Sequence, residues 1–183
     1  MIEYIHERYT LSRALTRPTK ANEHHTDAQR INFILMPVDS ERQVALESET
    51  RMVYVVSTET EVVYVGEAYT DLKTRMSRGF VPRRHYARTG HARGGYKGYK
   101  WIDLIEPEDA NSLTVDAFMF GADFNDADYR CVIEGVEGDL VHIIRANDGK
   151  WPAYQNEIHF SNQEGAYATA EAIYETIKNF ENE

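Results

Sequence analysis

A single cysteine, Cys131, in 183 residues excludes an internal disulfide and fits a reducing compartment. No apolar run approaches the roughly 18 residues needed to span a bilayer, and the polar first thirty residues hold no secretory hydrophobic stretch. There is no internal repeat, no low-complexity tract and no nucleotide-binding glycine motif. These absences predict a soluble, cytoplasmic protein with no membrane partner, and the length predicts one core with extensions. The most local absence is of acid. Between Lys73 and Lys100 there is no Asp or Glu, although the whole chain is acidic at net −10.

That interval carries nine cations: Lys73, Arg75, Arg78, Arg83, Arg84, Arg88, Arg93, Lys97 and Lys100. At +9 it leaves the remainder of the chain at −19. Charge segregated in this way puts a positive potential on a molecule that otherwise repels polyanions, and a phosphate backbone is the expected target. Tyr86, Tyr96 and Tyr99 interleave with the cations, as do five glycines that permit close backbone approach. The expected nucleic-acid contacts are therefore Arg78, Arg83, Arg84, His85, Tyr86, Arg88, Arg93, Lys97 and Lys100; the plain alternative is a solvated basic loop.

Periodicity places the elements. A weak helical pattern lies around Tyr9, Leu11, Ala14 and Leu15. His24 and His25 have no carboxylate or Cys pattern around them and read as exposed. Asn32 to Met36 reads as a strand stopped by Pro37. Residues 52–56 and 62–65 are β-branched and aromatic runs joined by a polar segment, a hairpin signature, with Tyr54 and Val56 on one face and Val53 and Val55 on the other. Gly66 is expected to end the second strand, and Thr70 to cap a helix reaching about Gly79 on a Leu72/Met76 stripe. Residues 113–120 alternate as a third strand. Ile133, Val136, Leu140, Ile143 and Ile144 recur at helical spacing, with Glu137 at the border of the stripe and Glu134 in solvent. Gly149 breaks that helix, and Ser161 with Glu164 reads as a capping box for a last helix striped by Ala166, Ala170, Ile173, Ile177 and Phe180.

Assembled, the chain resembles the GIY-YIG nuclease family. Met52-Val53-Tyr54, nine residues, then Tyr64-Val65-Gly66 is similar to the name motif; 72–76 looks like the helix with the family's arginine, Arg75; and 137–141 with 152–156 looks like the glutamate helix and trailing asparagine. The resemblance spans roughly residues 51–160. It departs at Met52, at one extra residue before Arg75, and at Gly79, where many members carry His or Tyr; His85, Tyr86 or His91 could supply that group, or none does. The fold it implies is α/β: a small, mainly antiparallel sheet centred on the tyrosine hairpin and flanked by helices. In this division 1–50 is an N-terminal extension packed on the core, 51–160 the core with a basic insertion at 81–112, and 161–183 a C-terminal helix.

The resemblance implies a catalytic set of Tyr54, Tyr64, Arg75, Glu137 and Asn156. Glu137 would be the metal ligand, holding Mg²⁺ or another divalent cation, and Arg75 would neutralise the scissile phosphate. One of the two tyrosines would orient or deprotonate water, and Asn156 would hold its neighbours. The implied activity is a metal-dependent DNA endonuclease, similar to restriction-type members, for which two-fold symmetric targets imply a homodimer. The alternative is a non-catalytic nucleic-acid-binding or regulatory protein on the same scaffold. A third reading makes the acidic surface a dock for a basic protein.

Overall fold

Glu7, Tyr9 and Leu11 are buried while Arg8 and Thr10 are half covered, a period of two that marks a strand. The computed structural model describes residues 1–15, 31–39, 43–92, 94–105, 111–155, 158 and 161–181, and β1 runs over Tyr4–Leu15. The helical pattern expected around Tyr9 and Leu11 is thus overturned. A glutamate on the inward face had hidden the alternation. Glu7 is tolerated there because its carboxylate accepts the Val44 and Ala45 amides at 3.0 and 2.9 Å and the Tyr9 hydroxyl, which also anchors the short helix α1 (Val44–Glu47).

The other strands are β2 (Ile31–Pro37), β3 (Arg51–Ser57), β4 (Val62–Tyr69) and β5 (Leu113–Phe120). They form one sheet in the order β2-β1-β5-β3-β4, every pairing antiparallel. Fold class is therefore α/β, but the sheet is not centred on the hairpin. β5 holds the middle and β3-β4 closes one end, because the first fifty residues contribute two strands on the far side of β5. β4 also continues through Gly66 to Tyr69.

One face of the sheet buries Tyr9, Leu11, Met52, Tyr54 and Val115 beneath α2 (Leu72–Thr89) and a 3-10 turn (Lys100–Leu104). The other buries Val53, Val55 and Phe118 beneath α3 (Arg130–Asp148) and α4 (Ala166–Glu181). The split of Tyr54 and Val56 from Val53 and Val55 follows the expected alternation. Helix α2 is capped by Asp71, whose carboxylate accepts the Thr74 amide at 2.8 Å, and not by Thr70. It passes Gly79 and Pro82 and ends where Gly90 takes a left-handed φ of 71°. Packing of Leu72, Met76, Gly79 and Phe80 overrides the two helix breakers. Helix α3 ends at Gly149 as expected. Helix α4 starts at Ala166, five residues after Ser161; Ser161 Oγ instead meets Gln163 and the Cys131 carbonyl, so the capping box does not form. Among the described residues no helix is long and apolar enough to cross a membrane.

Candidate active site

β4 is an edge strand, and its side chains alternate between the two faces of the sheet. Tyr64 and Gly66 fall on the α2 side, Val65 and Glu67 on the α3 side. Groups from both layers can therefore meet around this edge, which a central hairpin would forbid. They do so in a cleft of about 540 Å³ lined by Tyr64, Glu67 and Arg75 together with Glu134 and Glu137. The edge itself is held by the segment after α3: Tyr154 N donates to Val63 O at 2.9 Å, and Val65 N donates to Gln155 Oε1 at 3.1 Å.

Tyr54 does not line this cleft. It is fully buried behind it, and its hydroxyl accepts from Arg75 Nε at 3.1 Å and shares a hydrogen bond of 3.1 Å with the Tyr99 hydroxyl. The Arg75 guanidinium lies 5.7 Å from the Tyr54 ring centre and 5.9 Å from that of Tyr99. Gly66 permits this arrangement, since a Cβ there would sit 2.5 Å from the Tyr54 hydroxyl.

Burial pushes the Tyr54 hydroxyl pKa well up, and it pushes up Tyr64 too despite the opposing charge of Arg75. Both shifts oppose ionisation, so of the two roles expected for a tyrosine they favour orienting water over taking its proton. Arg75 is held above its ordinary pKa: the neighbouring tyrosines outweigh its desolvation, so it stays a cation.

Glu137 is pushed up to about 8, first by burial and then by the negative charge of Glu67, against the opposing Arg75 guanidinium. Glu67 is held in place by an ion pair with Arg51, which is itself buried on the Phe124 carbonyl. Glu134, expected in solvent, is less than a quarter exposed, lines the cleft and pairs with Arg130 at 2.8 Å. The cleft follows α3 one turn beyond Glu137, which the helical wheel alone could not show.

Two carboxylates on one wall of the cleft, Glu137 and Glu67, are a donor set that suits a hard divalent cation. Among the described residues no group of three or more His, Cys, Asp or Glu converges as a ligand set. A cation held here would rest on Glu137 and Glu67 and complete its shell from water or phosphate.

The sequence set Tyr99 among the cations but gave it no place beside Tyr54 and Arg75. A Cβ on Gly79 would lie 1.9 Å from Tyr99 Cδ2, so the ring fills the place that a side chain at 79 would take. The 98–101 segment reaches that place because Gly98, at φ 77°, packs against the Gly79 carbonyl and the Arg83 amide. Of the residues expected to replace the missing group, His85 and Tyr86 lie on the outer part of α2 and His91 bonds back to Thr89; none lines the cleft.

The expected nucleic-acid contacts divide. Arg78, Arg88, Lys97 and Lys100 are exposed; Arg83 pairs with Asp103 and Arg84 donates to Asn32 at 2.8 Å. Tyr86 lies beneath the Arg83 and Lys97 cations. Asn156, Arg93, His24 and His25 lie outside the described residues, as does the Phe180 side chain. Compared with models of known protein families, with curated proteins and with solved structures, the chain matches none.

Proposed function

We propose that this protein is a metal-dependent nuclease that hydrolyses DNA phosphodiester bonds, of the kind the GIY-YIG resemblance implies. The observation that carries the reading is the meeting of Tyr64, Arg75 and Glu137, from three separate elements, in one cleft beside a helix with exposed arginines. Arg75 neutralises a phosphate oxygen, its Nε fixed on Tyr54 so that the terminal nitrogens are aimed and little is reorganised. Tyr64 orients the attacking water by hydrogen bonding. Glu137, assisted by Glu67, would hold the cation. When bound, Mg²⁺ supplies charge neutralisation and a more acidic water. Arg78 and Arg88 track the backbone.

Supercoiled plasmid incubated with pure protein and Mg²⁺ tests the reading. Nicking or linearisation is expected, and both Glu137→Ala and Arg75→Ala should lower the rate by about a hundredfold or more. Cleavage that survives in both variants disproves the assignment. One observation favours a second reading, a non-catalytic DNA-binding protein: both hairpin tyrosines are shifted away from the ionised form. In that case DNA is retained in EDTA, no nicking is seen, and Glu137→Ala binds as well as wild type.

A further inference from the structure

Aromatic rings dominate the side of the cleft facing α2. The rings of Tyr64, Tyr99 and Trp101 are contiguous, with centroid separations of 5.7 Å for Tyr64–Tyr99, 4.9 Å for Tyr99–Trp101 and 6.1 Å for Tyr64–Trp101. Tyr96 stands at the same cleft with 46% of its surface exposed, on a turn where Gly94 and Gly95 take positive φ. An exposed tyrosine over a cleft presents a π-face to whatever enters. Trp101 adds a second, independent signal. Its indole Nε1 is buried and has no hydrogen-bond partner, in a residue that lines the cleft. Buried donors are rarely left so, and each one calls for an acceptor. Arg75 and Lys100 supply positive charge to the same space, across from Glu67 and Glu137, while Arg130 is paired with Glu134.

Flat rings, an unused donor and cations together fit one chemical group, a nucleotide whose base stacks while its phosphate meets the cations. A base within a duplex cannot use the rings, because its faces are covered by neighbours and its pairing edge by its partner. We infer that the cleft takes an unpaired nucleotide, its base stacked on Tyr96 beside the buried Trp101 ring, so that the substrate class is single-stranded or locally unpaired DNA. The inference deepens the nuclease reading and rests on it for the role of the cleft, yet it concerns binding and can be tested without cleavage.

Wild-type protein in EDTA is titrated with three oligonucleotides of one sequence carrying 2-aminopurine: a single strand, a duplex with the probe bulged out, and a fully paired duplex. The two unpaired probes should be quenched on binding and held about tenfold or more tighter than the paired one. Tyr96→Ala should weaken them by about 5- to 150-fold, the range of one lost base–aromatic stack, and change the paired duplex little. Trp101→Phe, which keeps the ring and removes the donor, should weaken the unpaired probes more than the paired one. Equal affinity for the paired duplex, unchanged probe fluorescence, or an unaffected Tyr96→Ala overturns the inference. The two proposals fail differently. Quenching with no cleavage of plasmid or of the single-stranded oligonucleotide in Mg²⁺ refutes hydrolysis alone, whereas cleavage of fully paired DNA at the wild-type rate by Tyr96→Ala refutes the stacking site alone.

Discussion

Glu137 is the residue whose chemistry is most displaced by its surroundings. Its carboxyl has an ordinary value of 4.5 and is pushed up to about 8 in the fold, by burial and by Glu67. The folded state therefore binds more protons than the unfolded state between those values, and stability falls as pH rises through this window. The penalty is complete above about pH 8 and absent below about pH 4.5. It amounts to a few kcal/mol, roughly. Glu137→Gln removes the charge and keeps the shape. Thermal melts in EDTA should show the variant more stable than wild type at pH 9 and nearly equal at pH 4.5; equal melting temperatures at both would show that the carboxylate is better solvated than its burial indicates.

Gly79 makes the complementary point about space. An alanine there gains up to about 1 kcal/mol of helix propensity, but its Cβ collides with a tyrosine ring packed against Trp101 and Phe80. Overpacking of a filled site costs about 1–3 kcal/mol, so Gly79→Ala should be net destabilising in urea titrations. Tyr99→Ala opens space for the new methyl, so the same substitution in that background should lose its penalty. Arg75 and Glu137 could be read from the sequence because each sits at a known helical angle from an apolar stripe. Tyr99, Glu67 and Trp101 could not, since nothing local marks a residue whose partner lies on another element.

At the scale of elements, helix α2 shows which signals survive folding. Its start was misplaced by one residue, because Thr70 and Asp71 are both good caps and only geometry tells which reaches the Thr74 amide. Its end was misplaced by ten, because Gly79 reads as a stop while the helix runs on, through Pro82, to Gly90. Locally unfavourable residues persist where packing holds the helix together, here the contact of Gly79 with Tyr99. Asp71→Ala should destabilise the protein by about 1 kcal/mol, the usual value of such a cap. Burial works against the Asp71 charge, but the Thr74 amide and hydroxyl outweigh it and hold the carboxyl below its ordinary 3.8. The advantage of wild type over Asp71→Ala is thus full above about pH 4 and fades as pH falls through the lowered value. Urea midpoints at pH 7 and pH 3 check both parts; a gap that does not shrink at pH 3 would exclude a charge-assisted cap.

For the whole molecule, the decisive fact is that the chain's first strand lies inside the sheet. β1 pairs with β2 on one side and β5 on the other, so residues more than a hundred apart must meet before the middle of the sheet exists. The β1–β5 seam is also locked by charge. Asp116, fully buried on β5, accepts from Arg8 Nε at 2.7 Å and Nη2 at 3.1 Å, and lies 2.7 Å from His6 Nε2. No spacing rule in the sequence joins residues 6 and 8 to residue 116, which is why this seam was invisible while the hairpin was plain. Breaking a buried ion pair costs about 3–5 kcal/mol when the stranded charge stays dry. Here Arg8 and His6 keep 20% and 17% of their side-chain surface, so water can recover part of that loss. Asp116→Ala should therefore destabilise by about 2–3 kcal/mol, and Asp116→Asn by less, since the amide still accepts a hydrogen bond. Because the seam joins the N-terminal strands to the hairpin end, the loss should appear as one shifted transition, identical by circular dichroism and by tryptophan fluorescence. Two separated transitions would mean that the hairpin, the cleft and the helices around them fold without β1, and that the first strands are an addition to a self-sufficient core.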